Sequence, residues 1–162
     1  MDTFKEMQTR GHEQVVFCYE PSCGYFGIIA IHDTTLGPAL GGTRVWPYES
    51  TEAALDDALR LSRGMTYKSA VAGLNLGGGK AVILADKDRT KTPEMLAAFG
   101  DAVERLGGQY VTAEDVGISE ADMVSGSKHT SYVSGLPVEG DDAAGGDPGP
   151  FTYIRDDTCN ID

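Results

Sequence analysis

Leu74-Asn75-Leu76-Gly77-Gly78-Gly79-Lys80-Ala81-Val82-Ile83-Leu84-Ala85 decides the fold of this 162-residue chain. From Lys80 to Ala85 the pattern is that of a short buried strand, entered through three glycines that bare the backbone of a bend. Working outward, Thr92-Pro93-Glu94 is a helix start, with an N-cap, a proline at the first position and an acid in the first turn. Leu96, Phe99, Val103 and Leu106 form its apolar stripe, and Gly107-Gly108 end it. Tyr110-Val111-Thr112 is the next strand. Upstream, Ser50 or Thr51 caps a helix with Glu52, Asp56 and Asp57 at its positive end. Leu55, Ala58, Leu59 and Met65 recur on it at helical spacing. A strand, a helix and a strand repeated in this way predict an α/β layered domain, its mixed, partly parallel sheet flanked by helices.

Towards the N-terminus, residues 14–19 and 25–31 are apolar, β-branched and aromatic runs around Pro21-Ser22-Cys23-Gly24, which predicts a hairpin. The second run is almost continuously apolar, as in a strand covered on both faces. Residues 36–44 are too glycine-rich for a regular element and too apolar for a linker, so a buried or ligand-facing loop is expected there. Ser119 and Asp122 form a capping-box pattern that opens another helix, and Tyr132-Val133 is a last short strand. After Val138 the composition turns to Gly, Asp, Pro and Ala, as in a linker or tail.

Composition narrows the function. The net charge of −12 argues against nucleic acid or an anionic membrane as partner, because both require a basic footprint. The acid excess is concentrated from Glu139 to Asp162, where seven acids face one base, Arg155. Three cysteines without zinc-like spacing, no apolar signal core at the N-terminus and no membrane-length apolar run are the expectation for a soluble cytoplasmic protein. The 21 glycines stand near twice the usual ~7%.

Three residues carry candidate chemistry. A lysine at the mouth of an apolar strand, as at Lys80, is partly desolvated; that lowers its pKa and suits it to general-base work. The same stretch also reads as a tight glycine turn with an ordinary surface lysine. Lys68 is by itself a solvated charge near a helix end. Paired with Lys80 in one pocket, it would be left to hold an anion. Asp115 follows a strand and precedes Gly117, where α/β proteins place ligands, although an aspartate there equally stabilises a turn. A phosphate loop is excluded, since Leu74 and Ala81 stand where glycine and a hydroxyl residue are required. The dinucleotide fingerprint fails at Val82, and no nucleophile elbow is present. His12, His32 and His129 lack metal spacing, and His32 reads as a satisfied core residue.

Residues 32–42 (HDTTLGPALGG), 63–68 (RGMTYK), 73–80 (GLNLGGGK) and 112–117 (TAEDVG) together resemble the Glu/Leu/Phe/Val dehydrogenase family, and within it most closely the leucine dehydrogenases. The likeness runs over roughly residues 4–152. It implies oxidative deamination of a branched-chain L-amino acid such as leucine to its 2-oxo acid, with NAD as acceptor, in a cytoplasmic homo-oligomer. Carried over by residue, Lys68 holds the substrate carboxylate with the backbone of Gly41 and Gly42. Lys80 activates the attacking water, and Asp115 relays protons at the substrate nitrogen. Met65 also binds the substrate, and side-chain selection falls to Leu40, an apolar wall, and Ala113, which takes space that a glycine would leave for an aromatic ring. Thr152 matches a threonine beside the cleft.

The resemblance also implies a division of the chain. Residues 1–138 would be the substrate-binding, catalytic and oligomerisation domain, and 139–162 a hinge approach with a divergent acidic tail. The NAD-binding domain is expected to be absent, because residues 153–162 lack the apolar stripe of a linking helix. The chain by itself is then expected to be inactive. The alternative is an inert module that only oligomerises or binds amino and oxo acids.

Overall fold

Lys80 lies within a strand, close to the middle of a five-stranded sheet. The structure, a computed structural model, describes residues 2–85 and 91–136. In chain order the elements are α1 (Thr3–Arg10), β1 (Gln14–Glu20), β2 (Tyr25–Asp33), β3 (Ala39–Trp46), α2 (Thr51–Val71), β4 (Gly77–Leu84), α3 (Pro93–Glu104), β5 (Tyr110–Ala113) and α4 (Glu120–Gly126). The strand order is β1-β2-β4-β3-β5. Strand β2 is antiparallel to both β1 and β4, whereas β3 runs parallel to β4 and β5. The mixed, partly parallel α/β sheet is therefore observed. Val133 adds a single parallel bridge beyond β5, at Thr112.

Each face of the sheet buries its own helix layer. Ile28, Ala30 and Val82 point towards α2 and meet Ala54, Leu55, Ala58 and Leu59. Ile29, Ile31, Ala81 and Ile83 point the other way, onto Met95, Leu96, Phe99 and Val103 of α3. Alternation within β2 and β4 thus feeds both cores, which explains the unbroken apolar run of β2. Burial of an Ile or Leu side chain at such positions contributes roughly 1.5–3 kcal/mol.

The caps are those the sequence predicts: Ser50 for α2, Thr92 for α3, and Ser119 with Asp122 as a capping box for α4. Gly107 and Gly108 follow α3 with φ of 58° and 88°, values that favour glycine. Helix α1 was not expected. Its N-cap Asp2 and C-cap Gly11 are present, but the helix is only eight residues long and buries none of them.

Two readings of the glycine segments are corrected. Residues 39–44 form most of strand β3, and only residues 36–38 of the expected loop lie outside a strand. Gly77–Gly79 belong to β4 and make no bend. Glycine weakens an isolated strand, but β3 is paired on both sides, and close packing requires bare Cα atoms here. A Cβ on Gly78 would fall on the backbone of Thr66 in α2, and one on Gly79 would lie 2.6 Å from the Tyr110 ring. One on Gly41 would collide with the Gly79 carbonyl. The β3–β4 register runs Ala39↔Gly77, Leu40↔Gly78 and then Thr43↔Ala81, so the pairing is interrupted where Gly41 meets Gly79.

Buried histidines fasten α1 to this frame. His12 Nε2 lies 3.0 Å from the Leu59 carbonyl and 2.9 Å from the Ser62 hydroxyl. His32 lies 2.8 Å from Thr66 Oγ1 and 3.1 Å from the Arg10 carbonyl, its ring edge-on to His12. As the sequence suggests, His32 is a hydrogen-bonded buried residue. Burial, reinforced by His32, pushes His12 down to about 4.

Two predictions follow from the packing. Gly64 on α2 has open space around a built Cβ, so Gly64→Ala should stabilise the chain by roughly 0.5–1 kcal/mol. Gly78→Ala should destabilise it by on the order of 2–4 kcal/mol or prevent folding, as denaturant titration would show. Between pH 6.5 and 4 the unfolded chain protonates His12 and the folded chain does not. Stability contributed by neutral His12 is complete above that window and falls as the pH drops through it, by on the order of 2–3 kcal/mol. Urea titrations across this range should show the loss, and His12→Gln should flatten it.

Candidate active site

Strands β3, β4 and β5 place alternate residues on the α2 side of the sheet, and one end of that side opens into a cavity of about 680 Å³. Its lining brings together Leu40, Gly41 and Gly42 of β3, Lys80 of β4 and Ala113 of β5, with Asp115 just beyond. Met65 and Lys68, one turn apart on α2, lie across from them. Every site residue inferred from the sequence that falls within the described residues is in this one cavity. Thr152 lies outside the described residues.

Asp115 is presented by a pinned turn. Ile118 N donates to the Asp115 carbonyl at 3.2 Å, and Val45 N donates to the Val116 carbonyl at 2.9 Å. Gly117, at φ 82°, lies so close to the Val45 carbonyl that a side chain would clash. Gly42 is equally constrained, since a Cβ there would lie 2.9 Å from Asp115 Cβ. The Asp115 backbone closes a turn while its carboxylate faces the cavity.

The Lys80 ammonium donates to Asp115 Oδ2 at 2.6 Å. Lys80 is only 5% exposed, and burial draws its pKa below the ordinary lysine value against the opposing pull of Asp115. Burial by itself would raise Asp115. The hydrogen bond and charge of Lys80, with the Val116 N–H and Arg44, outweigh it and hold the carboxyl below the usual carboxylate range. The pair is therefore ionised, with a lysine primed to lose its proton more readily than an exposed one.

The pair continues into a chain of charges that sequence reasoning missed. Arg44 Nε donates to the same Asp115 oxygen at 3.1 Å, and its Nη1 donates to Asp57 Oδ2 at 3.0 Å. Tyr48 donates its hydroxyl to that Asp57 oxygen at 2.7 Å, and Arg60 donates to the other at 2.6 Å. Arg44 follows Leu40 and Gly42 on the same face of β3. Only recognition of 39–46 as a strand would have shown it.

On the opposite face, the buried Tyr110 hydroxyl donates to the Gly41 carbonyl at 2.6 Å, which braces the glycine backbone beside the cavity. Glu114, Ile118, Glu120, Ser134 and Gly135 complete the rim. Among the described residues no group of three or more His, Cys, Asp or Glu side chains could hold a metal ion, and no helix is long and apolar enough to cross a membrane.

Residues 12–132 match the family model described as Glu/Leu/Phe/Val dehydrogenase, dimerisation domain. The chain is 55% identical to the leucine dehydrogenase of Geobacillus stearothermophilus over 152 residues, 94% of this chain and 41% of that enzyme. It is 51% identical to the phenylalanine dehydrogenase of Lysinibacillus sphaericus over 138 residues, 85% of this chain and 36% of that one. The crystal structure of L-tryptophan dehydrogenase from Nostoc punctiforme superposes with a TM-score of 0.78 at 52% identity, covering 80% of this chain and 39% of its own. A glutamate dehydrogenase from Thermus thermophilus shares the fold at 23% identity and a TM-score of 0.66, over 78% of this chain and 34% of that one. The chain thus spans about two fifths of the length of the leucine dehydrogenases it matches. A family model matching residues 12–132 and a relative 55% identical over 94% of the chain show that the chain belongs to the Glu/Leu/Phe/Val dehydrogenase family.

Proposed function

We propose that this chain is the substrate-binding part of a cytoplasmic, NAD-dependent amino acid dehydrogenase acting on a branched-chain L-amino acid such as leucine. Residues 1–138 would form that domain, with 139–162 as the approach to a hinge. The observation that carries the reading is the buried Lys80–Asp115 pair, open to the same cavity as Lys68, Gly41 and Gly42.

A dinucleotide does not fit the described residues. Gly77–Gly79 lie inside β4, against Asp33, Thr66 and Tyr110, so they offer no strand-to-helix turn to cradle a pyrophosphate. What these residues can do is hold the amino acid and move protons and water at its α-carbon. The Lys68 ammonium pairs with the substrate carboxylate, and the backbone at Gly41 and Gly42 fixes its orientation. Lys80 first gives up its proton to solvent; once the substrate is an imine, its free amine takes a proton from water as the water oxygen bonds to the imine carbon. Asp115 exchanges the protons by which the nitrogen becomes a leaving ammonia. Leu40, Met65 and Ala113 give the substrate side chain an apolar wall, and the methyl of Ala113 takes space that an aromatic ring would need.

The division of labour between the two lysines is testable by titrating the chain with 4-methyl-2-oxopentanoate by calorimetry or NMR. Lys68→Ala should weaken binding about 10–100-fold, the loss of a charge-assisted contact to the carboxylate. Lys80→Ala should change it only a few-fold; the reverse pattern would overturn the assignment. Ala113→Gly should shift the preference towards phenylpyruvate by about 5–10-fold, measured as the ratio of the two dissociation constants.

The second reading, an assembly module without chemistry, draws on β1. This edge strand exposes Phe17 and Tyr19, and the matching family description names dimerisation. Homo-oligomers through this edge are compatible with the dehydrogenase. A chain that assembles and ignores both oxo acids would leave the assembly module as its function.

A further inference from the structure

We propose that Arg44, braced by Asp57 and Tyr48, is the positioning residue that orients the Asp115 carboxylate against Lys80. The inference rests on the dehydrogenase reading for its catalytic meaning, but its geometry stands independently. Lys80 Nζ and Arg44 Nε converge on one oxygen, Asp115 Oδ2, from two neighbouring strands. Two donors on one oxygen, together with the turn that holds the backbone, set the plane in which the carboxylate lies. A lysine alone, with a rotatable ammonium, would define a distance and no plane.

Arg44 is itself immobilised. Its planar fork is engaged at Nε by Asp115 and at Nη1 by Asp57, and Asp57 is tied by Tyr48 and Arg60. Arg44 and Asp57 are mostly shielded from solvent, with side-chain exposures of 23% and 15%, so their attraction is screened less than that of a surface pair. The chain Lys80–Asp115–Arg44–Asp57 thus links β4, the β5 turn, β3 and α2 through alternating charges. For Asp115 the consequence is chemical. A proton accepted from a substrate nitrogen, at either oxygen, would neutralise the charge that two cationic donors hold at Oδ2, so the protonated form is short-lived. Asp115 then passes protons on and does not store them.

The experiment is an NMR titration of the chain, following the Asp115 carboxyl carbon and its χ1 couplings with pH. The charged and titratable groups around Asp115 are Lys80 on β4, Arg44 on β3, Lys68, Asp57 and Arg60 on α2, Tyr48, and the rim residues Glu114 and Glu120, all unchanged except Arg44. Wild-type Asp115 should hold a single rotamer and titrate below an ordinary aspartate. In Arg44→Gln its pKa should rise towards the ordinary aspartate value, with rotamer averaging. Arg44→Lys restores the charge without the fork, so averaging should persist while part of the pKa shift returns. Should Arg44→Gln fail to fold, the wild-type Arg44 Nε–H resonance serves, and it should shift at the pH where Asp115 protonates. A folded Arg44→Gln whose Asp115 keeps both its pKa and its rotamer overturns the proposal. So does a wild-type Arg44 resonance indifferent to Asp115. No substrate enters the measurement, so a chain that fails to bind oxo acids would count against the proposed function and not against the role of Arg44.

Discussion

The approach of α2 to β4 at Gly78 is the constraint on which the cavity depends. A helix resting on ordinary side chains would stand further from the sheet, and the pocket between them would widen into a groove. Here the backbone of Thr66 occupies the space that a β-carbon would take. Met65 and Lys68 flank that contact, so the need for a bare Cα at Gly78 also sets the height of the cavity roof. The same absence of side chains at Gly41 and Gly42 forms its floor. Glycine, usually a source of looseness, here defines a fixed separation.

Burying Lys80 costs solvation, and an unpaired ammonium at that depth would be strongly unfavourable. Asp115 compensates, and Arg44 and Asp57 extend the compensation to Arg60, the exposed end of the chain of charges, where water assists. Such a graded chain is a common physical answer to placing a reactive charge in an apolar wall: each ion solvates the next. The shifts follow from that arrangement. Lys80 is lowered because burial outweighs a single partner, whereas Asp115 is lowered because its several partners outweigh burial.

Much of this was legible in advance where local chemistry decides the outcome. The caps of α2, α3 and α4 and the hairpin of β1 and β2 follow from short-range patterns, and the structure reproduces them. Lys68, Lys80 and Asp115 were singled out by motif and resemblance, and the structure brings them into one cavity. Strand β3 was missed because its glycines are chosen by the neighbours that press on them, β4 and the Asp115 turn, which lie far away in sequence. Helix α1 escaped for the opposite reason. It is short and buries no residue, and it is held by an N-cap, the Glu6–Arg10 pair and an Arg10–Asp56 bridge. Arg44 could be ranked only once β3 was known, because its partners come from α2 and from the turn after β5.

Asp115 stands at the end of an edge strand of only four residues, whereas Lys80 is central. A one-residue slip of β5 along β3 would turn Ala113 and Val111 to the other side of the sheet and carry the aspartate turn away from the lysine. The buried ammonium would then have no counter-ion. Misaligned pairing is thereby penalised electrostatically as well as by lost packing. The Lys80–Asp115 ion pair is thus a checkpoint on assembly, a latch that closes only when β5 has found its correct neighbour position.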